Sequence, residues 1–90
     1  MDYEQVDRLN AKALKIFTVL KQELNELNLG KCLVTPGDLD ENPSLQITDK
    51  VHVSACEDGT LMVSKNNGDD FYIFGSKDVK EVVAKVREWA

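Results

Sequence analysis

The chain predicts a two-layer α+β domain with a long N-terminal helix, a four-stranded antiparallel meander and a C-terminal helix, in the order α-β-β-β-β-α. Three observations carry this. Apolar residues recur at spacings of three and four across the first 29 positions. The period then switches to two, and short turn-forming stretches divide the alternating segments. Helical spacing returns after Ser76. Ninety residues make one hydrophobic core, so positions 1–90 are expected to form a single domain.

In the first helix, Val6, Leu9, Ala13, Phe17, Leu20, Leu24 and Leu27 make one apolar stripe, and Lys12, Lys15, Gln22, Glu23 and Glu26 fall away from it. Asp2 and Gln5 have the form of a capping box, and Gly30 stands where a left-handed C-terminal cap belongs. Such a helix is about 40 Å long, against a radius of gyration of about 12 Å for a domain of this length. It must therefore cross the whole domain or project at one end. "KCLVT" reads as a short strand and "PGDLDENPS" as a loop. In the next strand Leu45, Ile47, Val51, Val53 and Ala55 alternate with Gln46, Lys50, His52, Ser54 and Cys56. Asp49 alone interrupts the apolar face, so a bulge or kink is expected near "TDK". "EDGT" is a hairpin turn, "LMVSK" the third strand, "NNGDD" a second Gly-centred turn and "FYIF" the fourth strand. Ser76 can cap the last helix, whose buried face is Val79, Val82, Val83, Val86 and Trp89.

Composition narrows function. The net charge is −5 and the isoelectric point near 4.7, the opposite of the basic face that nucleic-acid binders carry. The acidity is local. Positions 36–70 hold eight acids against two bases, a balance of −6, and the remainder holds eight acids and nine bases, a balance of +1. No apolar run approaches the ~18 residues of a membrane span. The opening "MDYEQVDRLN" lacks the basic and apolar regions of a secretory signal, so a cytoplasmic location is expected. Two cysteines, Cys32 and Cys56, make no disulfide framework and are expected to be small core or half-buried residues.

"HVSACEDG" is where reactive chemistry would be sought, because it holds the only histidine. Along a regular strand His52 and Cys56 lie ~13 Å apart at 3.3 Å per residue. That excludes a shared zinc ion and a nucleophile–base pair alike. His52 is instead expected on the open face of the sheet. "DLDEN" places Asp38, Asp40 and Asn42 at positions 1, 3 and 5 of a calcium loop, but Pro43 replaces the required glycine and Asp49 the bidentate glutamate. The glycines are scattered singly, and neither G-x-S-x-G nor C-x-x-C occurs. No enzyme, metal or cofactor is expected.

Two surfaces and one seam suggest partners. In a four-stranded meander the 36–44 and 66–70 loops share one end of the sheet, which would gather Asp38, Asp40, Glu41, Asp69 and Asp70. Acidic loops serve solubility, but such a cluster also steers a basic partner. Tyr72 and Phe74, with Met62, would alternate onto the open sheet face as apolar anchors, although a core position for Met62 is slightly favoured. Ala13, Phe17, Leu20, Leu24 and Leu27 also follow coiled-coil spacing, which allows a homodimer through the N-terminal helix.

Helix, antiparallel strands and helix, with Lys77 and Lys80 opening the last helix in "GSKDVKEVV", resembles the layout of double-stranded-RNA-binding domains. That resemblance implies phosphate contacts from Lys77 and Lys80. Asp78 between the lysines, the added strand and the acidic loop depart from the pattern. The expectation is therefore a small acidic non-enzymatic module that binds another protein through a basic surface, as an inhibitor or adaptor. Its sharpest version is a phage-type anti-defence inhibitor such as an anti-CRISPR. Membrane and direct nucleic-acid binding are not expected.

Overall fold

The computed structural model describes residues 2–27 and 33–90. It is an α+β fold in which helix α1 (Tyr3–Glu23) is followed by a 3-10 turn (Asn25–Leu27) and strands β1 (Val34–Thr35), β2 (Ser44–Gln46), β3 (Val51–Ala55), β4 (Leu61–Asn67) and β5 (Asp70–Ser76). Helix α2 (Val79–Trp89) closes the chain. The strands form one sheet in the order β1-β2-β3-β4-β5, and every neighbouring pair is antiparallel. The meander thus has five strands where the alternation predicts four.

The fifth strand comes from "QITDKV". Carried through as one strand, this stretch would point Asp49 at the core, where an unpaired carboxylate is expensive. The chain reverses instead. Ile47 N–H donates to the Val51 carbonyl at 2.9 Å, and Thr48 N–H donates to the same oxygen at 3.1 Å. The Thr48 hydroxyl accepts from the amides of Lys50 at 3.2 Å and Val51 at 3.1 Å, so the side chain itself closes the turn. Ile47 and Val51 both stay buried. Asp49 sits at the exposed tip.

α1 begins where the sequence indicates. Gln5 N–H donates to Asp2 Oδ1 at 2.8 Å, and Asp2 N–H donates to Gln5 Oε1 at 2.9 Å, completing the capping box. The 21 residues of α1 span about 31 Å, and the domain measures 34 × 30 × 23 Å. The helix crosses the domain rather than projecting from it. Its coiled-coil seam is spent on its own sheet, since Phe17, Leu20 and Leu24 are completely buried. Gly30, Cys32 and the start of "KCLVT" lie outside the described residues.

Both helices cover one face of the sheet. Phe17, Leu20 and Leu24 of the N-terminal segment pack with Leu45, Val51, Val53, Leu61 and Val63 of the strands and Val82 and Val86 of α2. α2 is capped by Asp78, not by Ser76. The Asp78 carboxylate accepts from Lys80 N–H at 2.9 Å. Ser76 supports it from two residues upstream, its hydroxyl accepting from Asp78 N–H at 3.0 Å and donating to Glu81 at 2.8 Å.

The helices are also tied at their far ends. Arg87 Nη2 donates to the Glu23 carbonyl at 2.8 Å, an oxygen the end of α1 leaves without a helical partner, and Nε donates to the Glu26 carboxylate. The Arg87 guanidinium holds the Glu26 carboxyl below its ordinary pKa. A depressed carboxylate adds stability that is present above its unfolded pKa and lost as the pH falls through the folded one. Arg87→Ala is therefore expected to lower Tm more at pH ~7 than at an acid pH low enough for protonation of Glu26 to remove the charge pair from the native protein as well. An equal loss at both pH values would show that the charge pair contributes nothing.

Candidate functional site: the two ends of the sheet

The extra hairpin changes which loops meet. With β2 and β3 separate, the 36–43 loop shares an end with the 56–60 turn, and the 47–50 turn shares the opposite end with the 68–69 turn. Hydrogen bonds at both ends follow this. At the first, Ala55 N–H donates to the Pro43 carbonyl at 3.0 Å, and Asn42 Nδ2 reaches Cys56 Sγ at 3.7 Å. At the second, Asn66 N–H donates to the Lys50 carbonyl at 2.8 Å, and Lys50 Nζ lies 3.4 Å from Asn67 Oδ1. The expected gathering of Asp38, Asp40, Glu41, Asp69 and Asp70 is thus corrected. Asp38, Asp40 and Glu41 stand at one end with Glu57 and Asp58, and Asp69 and Asp70 stand at the other with Asp49. One added turn inverts the direction of every later strand. Reading "ITDK" as a turn would have placed Glu57 and Asp58 correctly.

The Asp38 loop is held firmly. Gly37 N–H donates to Asn10 Oδ1 at 2.7 Å, and Asn10 Nδ2 donates back to the Gly37 carbonyl at 3.3 Å, clamping the loop to α1. Asp38 and Glu41 exchange backbone bonds of 2.8 and 3.3 Å. The Asp38 carboxylate accepts from Leu39 N–H at 2.8 Å. Pro43 is fully buried. The carboxylates of Asp38, Asp40 and Glu41 remain exposed above this framework.

The neighbouring turn is ordered by Asp58. Its carboxylate accepts from Thr60 N–H at 3.0 Å, and that bond, with a smaller attraction from Lys77, lowers its pKa. Gly59 supplies the positive φ of +93° that the turn requires. Burial, helped by the Asp58 charge, pushes the Cys56 thiol up, which makes it a poor nucleophile at neutral pH. Glu57 shares a shallow recess with Gln5, Arg8, Leu9 and Lys12. His52 faces the open side of β3, level with Gln46 and Ser64. Among the described residues no three His, Cys, Asp or Glu side chains form a metal-holding group.

The anchors on the sheet also change place. Val63 pairs with Phe74 and Lys65 with Tyr72, which puts both aromatics on the helix-covered face. Tyr72 packs on Trp89 with ring centroids 6.3 Å apart, and Lys85 Nζ lies 5.0 Å from the Phe74 centroid and 5.2 Å from that of Trp89. The open face instead receives Phe71 and Ile73, opposite Asn66 and Ser64. Met62 joins them there, half-buried and opposite Ser54 and Gly75, so the core position favoured for it is overturned. "FYIF" is apolar at every position and carries no alternation from which its register could be read.

Lys77 and Lys80 stand at the start of α2, as the layout of double-stranded-RNA-binding domains implies. Between them the Asp78 carboxylate already takes the Lys80 amide, the kind of donor a phosphate would use there. No described helix is long and apolar enough to cross a membrane. Comparison with known families, curated proteins and solved structures finds no match.

Proposed function

We propose that this protein is a small acidic binding module, an inhibitor or adaptor that engages a basic surface of another protein through Asp38, Asp40 and Glu41, with Glu57 and Asp58 beside them. The observation that carries this reading is the anchoring of the Asp38 loop by paired hydrogen bonds to Asn10. A loop that serves only solubility needs no two-way clamp from Asn10 and no buried proline beneath it. A prepositioned row of carboxylates meets a partner without a large ordering cost, and its charge speeds encounter. A surface that ordinarily holds phosphates is the kind of target such a row fits, which is why a blocker of a nucleic-acid-handling protein is the sharpest version. A reducing cytoplasm suits the free Cys56 thiol.

The test is a pull-down from source-cell lysate with three proteins: the native chain, Asp38→Lys/Asp40→Lys/Glu41→Lys, and Asp69→Lys/Asp70→Lys. The expected result is one basic protein retained at low salt and released at high salt. It should be lost with the first variant and kept with the second. Equal retention by all three sinks the proposal. So does duplex RNA in the eluate that Lys77→Ala/Lys80→Ala removes, because that would assign binding to the start of α2.

A further inference from the structure

β5 is an open edge. It pairs with β4 on one side through seven consecutive residues without a bulge, from Asp70 to Ser76. It is the last strand of the sheet. Three of the usual protections of an edge are missing from β5, which contains no proline, no lysine and no break in register. Three consecutive large side chains on it are exposed, Phe71 by 57%, Tyr72 by 47% and Ile73 by 55%. The opposite edge, β1, is only two residues long.

We infer that β5 pairs antiparallel with β5 of a second copy of this chain, about a two-fold axis at Ile73, joining two five-stranded sheets into one of ten strands. Charge and shape select both the occupant and the register. An axis normal to the sheet must pass through a residue facing its own copy, because opposed residues share a face. At Tyr72 it would set Asp70 against Phe74. At Phe74 it would set Asp70 against Asp78, like charge against like.

At Ile73 every pair matches. Asp70 faces Ser76, and Asp69 comes level with Lys77, an attraction that symmetry makes twice. Phe71 faces Gly75, where there is no side chain to oppose it and where Met62 Sδ already lies 2.8 Å from the position a Cβ would take. Tyr72 faces Phe74, so the aromatic layer under α2 continues across the axis. The axis keeps both pairs of helices on the same face of the joined sheet. The Asp38 loop takes no part, so this inference stands apart from the proposed function.

Sedimentation equilibrium of the full chain from ~1 to ~500 μM is expected to show a dimer. Ile73→Lys places two like charges on the axis at a site already exposed in one copy. It is expected to raise the dimer Kd roughly 100-fold or more with an unchanged far-UV spectrum. Lys77→Glu is expected to weaken the dimer at low salt, and adding Asp69→Lys and Asp70→Lys to it to restore the dimer. In a Cys32→Ser/Cys56→Ser background, Ile73→Cys is expected to cross-link to itself on oxidation, since directly opposed strand residues lie within disulfide reach. Tyr72→Cys, in the same background, is expected not to. A monomer across the whole concentration range overturns the inference and leaves the edge to a strand of another protein. A folded dimer that Ile73→Lys does not weaken overturns it as well.

Discussion

Phe17→Ala is expected to cost about 3–5 kcal/mol of folding stability. Phe17 has no exposed surface and sits where α1 meets both the sheet and α2 in one continuous core. Nothing small can move into the space, because Leu20, Leu24, Leu45, Val51 and Val53 around it are themselves completely buried and already packed. A domain of this size has a total stability on the order of 5–13 kcal/mol, so the loss is about a quarter of it or more. Urea unfolding followed by circular dichroism should show the midpoint fall with little change in slope. A shift equivalent to less than about 1 kcal/mol would mean that the core can collapse around the missing ring.

Gly37→Ala is expected to destabilise by about 1–3 kcal/mol through overpacking, without any demand for an unusual backbone angle. A Cβ at this position would lie 2.7 Å from Pro43 Cδ, 2.8 Å from the Glu41 carbonyl oxygen and 2.8 Å from Pro43 N. Two of these are backbone atoms, and Pro43 is pinned in the core, so the loop itself must shift. Its shift pulls on the paired hydrogen bonds between Gly37 and Asn10. Partner binding is therefore expected to fall together with stability, since the same movement displaces Asp38, Asp40 and Glu41. Thermal unfolding and the partner pull-down, run on the same variant, check both halves. An unchanged Tm would show that the turn tolerates the methyl group.

The elements legible in the sequence are those whose signals are local. The Asp2–Gln5 capping box, the apolar stripe of α1, the valines of α2 and the Asp58-Gly59 turn each declare themselves within a few residues. Hydrogen bonding to the nearest amides and the burial of one helical face act at that range. The α+β class follows from their order along the chain.

What remained hidden was relational. Asp49 signalled a break, but whether the chain kinks or reverses there depends on Val51 finding the Ile47 amide and on Val53 finding Leu45 across the hairpin. That single choice decides which acids stand together. The face of β5 was equally undetermined, because four adjacent apolar residues fit the pleat either way up. Only pairing with β4, where Leu61 and Val63 are already committed to the helices, turns Tyr72 and Phe74 inward and leaves Phe71 and Ile73 outside. Periodicity along the chain thus determined which elements form, and the neighbouring strand, through backbone hydrogen bonds that tie one register to the next, decided which way each one faces.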